Sequence, residues 1–508
     1  TQGHRFEAPK NPVLLAQADG YAEQLAAEGA VIASFEARRA EIARQLEAAA
    51  QQVGGGARPI EDDALLDEVT ALVERPNVLV GQFEPEFLEV PQECLILTMK
   101  ANQKYFPLLD ANGKLTHRFL VVSNIRPEDP SAVIGGNERV VRPRLADAKF
   151  FFDQDRKKTL ASRVPGLAKV VYHGKLGTQG ERVERVRTIA RAIGEQLGGP
   201  VLAQRADQAA MLAKADLLTD MVGEFPELQG VMGAYYAKHD GLDDEIAFAI
   251  EDHYKPRFAG DDLPRHQLGV VVALADKLET LVGLFGIGQV PTGDKDPFAL
   301  RRHALGVIRM LSEKQLPLAL DALLVQAAGA FGGRLTESTA PLTEFIYDRL
   351  SSSLREQGYT AQEVDAVLAL RPPHLFDVPK RLQAVRAFAS LPEAESLAAA
   401  NKRVGNILKK AEGAVVPQVD AALLRESAEQ ALSAALQEVR PQADAAFERG
   451  DYAVSLQALA VLKAPVDAFF DGVMVNAEDP ALRANRLGLL ATLHAAMNRV
   501  ADLSKLAS

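Results

Sequence analysis

Three groups of residues in this sequence have types and spacings that could carry chemistry. The first lies in 139–169, where Arg139, Arg142, Arg144, Lys149, Arg156, Lys157, Lys158, Arg163 and Lys169 stand against only Asp147, Asp153 and Asp155, a local net charge of +6. Cations at that density are what neutralising RNA phosphates requires. Interleaved Phe150, Phe151 and Phe152, with Lys104, Tyr105 and Phe106 upstream, either offer stacking faces to unpaired bases or pack inward as core. The second group is Lys380, Arg381 and Arg386, followed by Lys402, Arg403, Asn406, Lys409 and Lys410. On a helix over 394–411, positions 402, 406, 409 and 410 share one face. Such a face can meet RNA backbone while Asn406 reads a base edge; taken alone, a solvated helix face, the commonest fate of charge runs, is the better explanation.

The third group suggests a divalent-metal phosphohydrolase centre. A His, a His-Asp pair on a following helix and a distant Asp together hold an ion that activates water. His173, Asp216 and Asp276 occur in that order on successive helical segments, with His253 as a further candidate. The pair's imidazole is missing, because Ala215 precedes Asp216. A literal His239-Asp240 is followed by Gly241 and reads as a helix end. One ligand short, the segment is expected to be a helical scaffold of this His-Asp (HD) type without metal, and a working metal-dependent phosphohydrolase is the alternative. No Gly-rich phosphate loop, dinucleotide fingerprint or nucleophile elbow occurs, so simple hydrolase and dehydrogenase readings lose ground.

The elements that must position these residues follow from periodicity. Residues 13–53 carry a helical pattern ending at Gly54-Gly55-Gly56. From Asn77 the texture turns β-branched and aromatic (Val78-Leu79-Val80, Cys94-Leu95-Ile96-Leu97, Phe119-Leu120-Val121-Val122), and Asp110-Ala111-Asn112-Gly113 reads as a hairpin turn. An antiparallel sheet over about 77–125 is therefore expected. Nearly everything from 165 to 330 reads helical, including 182–197, 205–222 and 268–284. Beyond about 392 come Ala- and Leu-rich amphipathic helices, with proline only at breaks such as Pro441, Pro465 and Pro480. The fold class expected is multidomain and mainly α with a β-rich segment: a helix-plus-sheet body (1–160), an HD-like helical domain (165–320), a helical connector (321–390) and an all-α domain (391–508).

Length and charge set the bounds. A chain of 508 residues with 57 Lys+Arg and 68 Asp+Glu, net −11, is an ordinary globular composition of several domains. Removing the +6 of 139–169 leaves −17 elsewhere, so the basic surface is concentrated in an acidic scaffold. The single cysteine, Cys94, cannot form an intrachain disulfide, which favours a reducing, cytoplasmic setting. The most apolar window, 268–275, is stopped by Asp276 far short of the roughly 20 residues a membrane span needs, so no membrane partner is expected.

Long motifs then carry a resemblance. Asn102-Gln103-Lys104-Tyr105-Phe106, Gly136-Asn137-Glu138-Arg139-Val140, Arg144-Leu145-Ala146-Asp147-Ala148-Lys149-Phe150-Phe151, His173-Gly174-Lys175-Leu176-Gly177-Thr178 and Asp296-Pro297-Phe298-Ala299-Leu300-Arg301-Arg302 closely resemble the β subunit of bacterial heterotetrameric glycyl-tRNA synthetases. The likeness runs in fixed order from Gly3 to the end. Asn401-Lys402-Arg403-Val404-Gly405-Asn406 and Phe469-Phe470-Asp471-Gly472 look like the helical anticodon-binding domain shared with arginyl-tRNA synthetases. The resemblance implies a tRNA-binding subunit of a glycine-tRNA ligase, paired with an α subunit as α2β2. The α subunit would carry the glycylation chemistry with ATP and Mg, and this chain would hold no cofactor, no catalytic residue and no DNA. In that reading Lys380, Arg381, Arg386, Lys402, Arg403, Asn406, Lys409 and Lys410 meet the anticodon arm of a glycine tRNA. Lys104, Tyr105, Arg139, Arg142 and Arg144 face its acceptor side. His173, Asp216 and Asp276 are then degenerate HD-like positions, since the family usually has the same Ala-Asp. Family members also carry a segment ahead of Gly3, so the chain is expected to be shortened at its N-terminus.

Overall fold

The computed structural model describes residues 1–507, which form two compact units: Thr1–Pro165 with Lys214–Asp243, and Gly166–Ala213 with the chain from Asp244 onward. In the first unit a four-stranded antiparallel sheet is built from β1 (Arg58–Pro59), β2 (Asn77–Gln82), β3 (Phe106–Leu109) and β4 (Leu115–Ser123), in the order β1-β3-β4-β2. The expected hairpin joins β3 to β4. Asp110 Oδ1 accepts the N–H groups of Asn112 (2.8 Å) and Lys114 (3.0 Å), and Gly113 takes the left-handed conformation (φ 76°) that closes the turn. Helices Phe35–Val53 and Asp63–Leu72 cover one face of the sheet, with Ile42, Leu46, Leu65 and Val69 packed on Phe106, Leu108 and Leu120.

One expected strand is a helix instead. Cys94-Leu95-Ile96-Leu97 lies in Gln92–Gln103, and the buried residues are Cys94, Leu95, Thr98 and Met99, the one-sided stripe of a helix. A run of four apolar residues has no period of its own, and the deciding residues, Thr98 and Met99, lie beyond it. The long helix α1 (Ser131–Asp155) buries Val141, Leu145, Ala148, Phe152 and Asp155 at alternating steps of four and three. It continues through Pro143 because that side faces water.

In the second unit, α2 (Gln179–Leu212) opens with a capping box in which Thr178 and Glu181 satisfy each other's N–H groups, and it breaks at Gly199 (φ 74°) before Pro200. The helix α3 (Gln267–Gly286) is buried from Leu268 to Gly286 and forms the axis around which the neighbouring helices pack. Helices Leu320–Gly329, Ala340–Glu356, Ala361–Leu368 and Val378–Ala389 occupy the connector stretch. The C-terminal helices include α4 (Ala394–Lys410), Ser427–Glu448, α5 (Lys463–Gly472) and α6 (Pro480–Met497). Pro441 does not break its helix as expected; it is exposed within Ser427–Glu448, whose Leu436, Val439, Ala443 and Ala446 hold both sides in the core. By length and composition Tyr452–Gly472 would suffice to cross a membrane. Here it is Tyr452–Ala458, a 3-10 turn and α5, carries Lys463, Asp467 and Asp471, and buries Leu456, Leu462, Val466 and Phe469 against its neighbours.

Between α4 and Ser427–Glu448 the chain forms an extended strap that crosses α6. Asn485 pins it by accepting the Asp420 N–H (2.7 Å) and donating to the Asp420 carbonyl (3.1 Å). At the crossing stands Gly488, where a Cβ would lie 2.2 Å from the Gln418 carbonyl oxygen.

Candidate nucleic-acid interface

α4 is amphipathic for a simple reason. Leu397, Ala398, Asn401 and Val404 recur at helical spacing and are buried, which turns Lys402, Arg403, Asn406, Lys409 and Lys410 outward; all five are exposed. None of these cations is ion-paired among the described residues, and the two at the C-terminal turn complement the helix dipole. The inner face is fixed by polar contacts as well as packing. The amides of Asn401 and Asn498 bond reciprocally (2.8 and 3.0 Å), Asn498 also bonds the His494 carbonyl, and its Oδ1 accepts the Leu503 N–H. Ser396 donates to Asp467 on α5 (3.0 Å). Arg403 lies over the Phe470 ring, 4.2 Å from its centroid. His494, half-buried beside Lys409, has its pKa lowered by burial, so it adds no charge to this face at neutral pH.

The neighbouring cluster divides. Lys380 is exposed and has no carboxylate partner among the described residues. Arg381 is interior: its Nε donates to Asp377 (3.0 Å), its Nη1 to the carbonyls of Arg499 and Val500 (both 2.9 Å), and its plane covers Tyr452. It pins the C-terminal segment and does not stand on the surface expected of it. Arg386 is exposed but paired through Nε and Nη2 with Glu363 (2.8 and 2.9 Å). The Asp377 partner at i−4 was visible in the sequence, whereas carbonyls well over a hundred residues away were not.

The residues expected on the acceptor side also divide. Tyr105 is buried, donates its hydroxyl to Asn137 (2.7 Å) and lies against Phe119 (4.8 Å), while Phe106 is in the sheet core; neither offers a face to a base. Strand pairing turns Phe106 inward and contacts with Asn137 and Phe119 hold Tyr105, just ahead of the strand, long-range facts that a Tyr-Phe pair does not announce. Lys104 is paired with Glu68 (3.0 Å) and Arg142 with Glu84 (2.6 Å). Arg139 and Arg144 remain exposed and without ion pairs among the described residues, as do Lys158 and Lys169. Of the three phenylalanines, Phe150 is exposed, Phe151 half-buried, and Phe152 buried against Tyr236 and beneath the Arg156 guanidinium (4.1 Å).

The HD-like positions are each engaged elsewhere. His173 Nδ1 accepts the Lys175 N–H (3.2 Å), and its ring meets Phe298 edge-on. Asp276 is bonded by Arg182 Nη2 (3.1 Å), and Glu279, one turn on, accepts from Arg182 Nε (2.8 Å) and Arg185 Nε (2.9 Å). Burial opposes the Arg182 charge, but Asp276 and Glu279 outweigh it and hold its pKa above the ordinary value. This guanidinium supplies the positive charge that a divalent ion would bring to Asp276. His253 is buried and bonds the Ile250 carbonyl of its own turn. His239 ends its helix, and Asp240 accepts the Leu160 N–H (2.8 Å).

Asp216 belongs to the first unit and sits in a 3-10 turn, Ala215–Leu218, where a continuous helix over 205–222 was expected. Its buried carboxylate caps helix Val231–His239, Oδ2 accepting from Gly230 (2.6 Å) and Gly233 (3.0 Å). Burial nevertheless pushes its pKa up to about 6 from the ordinary 3.8. The folded state therefore holds the proton more tightly than the unfolded chain. The associated stability is full below pH 3.8 and is lost as pH rises through 6, a change of about 3 kcal/mol. Relative to the parent, Asp216→Asn is expected to gain stability between pH 4.5 and 7.5 in urea unfolding. A difference that stays flat with pH would exclude this.

Comparison with known proteins agrees with the two ends of the chain. A family model described as glycyl-tRNA synthetase beta subunit matches residues 1–369, and one described as DALR anticodon binding domain matches 397–503. The chain is similar to the glycine–tRNA ligase beta subunits of Delftia acidovorans and Dechloromonas aromatica, each 75% identical, and of Thiobacillus denitrificans, 72% identical. In each case the match takes in all of this chain and 72% of the relative.

Proposed function

Because the chain belongs to the glycyl-tRNA synthetase beta subunit family, we propose that it grips a glycine tRNA and presents it to a separate alpha subunit for glycylation. The observation that carries this reading is the exposed, unpaired face of Lys402, Arg403, Asn406, Lys409 and Lys410 on α4, inside the segment matched by the anticodon-binding model. Binding energy spent there orients the acceptor end, a positioning contribution that lowers the entropic cost of the reaction without bond chemistry. Arg139, Arg144 and Lys158 supply a second cationic surface in the first unit, for phosphates nearer the acceptor arm. ATP and Mg belong to the alpha subunit in this scheme, the assembly is α2β2, and the setting is the cytoplasm.

Replacing Lys409 and Lys410 together by alanine is expected to weaken tRNA binding and to flatten its salt dependence by about one to two counterions. A filter-binding titration over salt reads both quantities, and parental affinity with a parental slope would remove the assignment. Co-purification with an alpha subunit tests the partner.

A further inference from the structure

The Arg403 guanidinium has no carboxylate among the described residues to hold it; a ring does so instead. Phe470 lies beneath it at 4.2 Å and is braced in turn by Phe469, fully buried, at 5.5 Å and 82°. A guanidinium seated over an aromatic ring leaves its other side open to a second planar group. Arg403 is exposed and helps line a groove of about 310 Å3 with Ala399, Lys402, Asn406, Ile407 and Lys410. That is the small end of the range for ligand pockets. The groove combines a flat cationic surface, two aliphatic side chains, one amide with both donor and acceptor, and two ammonium groups.

An unpaired nucleobase matches this set better than a duplex does, because it has a π face, a hydrogen-bonding edge and a phosphate on either side. We propose that the groove takes one splayed base of the bound RNA, stacked on Arg403. The base edge lies on Asn406 and the flanking phosphates on Lys402 and Lys410. Phe470 acts through Arg403, as the positioning residue that holds the guanidinium in place over its ring. The proposal rests on α4 being the RNA-facing helix.

The test uses the full chain and glycine tRNA transcripts carrying 2-aminopurine at one anticodon-loop position at a time, since stacking quenches this fluorophore. One position is expected to be quenched on binding. Arg403→Lys keeps the charge and loses the plane, so affinity should fall about tenfold and the quench should disappear, with the salt slope unchanged. Phe470→Leu should act in the same direction with every cation still present. The proposal is overturned if no position is quenched, or if Arg403→Lys binds within twofold of the parent with its quench intact. If that happens while the Lys409 and Lys410 replacements still weaken binding, only the stacking site fails. If those replacements are also silent, the RNA-facing reading of α4 fails with it.

Discussion

Replacing Glu279 by alanine is expected to be the most damaging single change in the second unit, costing about 3–5 kcal/mol. Glu279 is fully buried and accepts from both Arg182 and Arg185, and Arg185 pairs with no other carboxylate among the described residues. Arg185 Nη2 already lacks a hydrogen-bond partner, so this guanidinium has no reserve. Without Glu279, one buried cation keeps the Phe331 ring at 4.7 Å, and the other must rely on Asp276, Thr280 and the Tyr172 ring at 4.7 Å. Removing the charges together should be far milder. A variant with Arg185→Met and Glu279→Leu removes one buried cation with one buried anion, leaves Arg182 paired with Asp276, and is expected to recover most of the loss, because buried charge is costly chiefly when unbalanced. Urea unfolding of the single and double variants decides the matter. A Glu279→Ala loss below about 1 kcal/mol would contradict the account.

The second large effect is expected at Gly488. In a helix interior Gly→Ala ordinarily gains about 1 kcal/mol. Here the new methyl would stand 2.2 Å from the Gln418 carbonyl and 3.1 Å from that of Val416. Both contacts are backbone, so the strap must lift, and the paired bonds between Asn485 and Asp420 break with it. A net loss of about 1–3 kcal/mol follows from overpacking of this kind. Hydrogen exchange should speed up at Asp420 and its neighbours while the rest of α6 keeps its protection. Unchanged exchange in the strap, or a more stable protein, would sink the explanation.

What the sequence made legible depended on whether the deciding partner was local. The outward face of α4 was readable because 402, 406, 409 and 410 repeat at helical spacing, and the 110–113 turn because Asp110 bonds its own neighbours. Cys94–Leu97 was misread because its period is settled by Thr98 and Met99 outside the run. Tyr105 and Arg381 could be recognised as aromatic and basic, but their destinies are set by Asn137, Phe119 and the carbonyls of 499 and 500. The pairing of Asp276 with Arg182, ninety-four residues apart, is of the same kind. Net charge suffered likewise: the +6 of 139–169 already subtracts Asp153, yet Arg142 and Lys149 also meet Glu84 and Glu89 from outside the segment.

The Asn401–Asn498 pair has a geometric consequence. A primary amide is a donor on one side and an acceptor on the other, so two of them facing each other fit in one relative orientation only, and turning either by half a revolution sets like against like. Neither group titrates, so no change of pH loosens the joint. α4 therefore behaves as a keyed shaft seated against α6. Rolling or sliding it by a turn would bury unmatched amides, and the angle at which its cations leave the surface is fixed before any polyanion arrives.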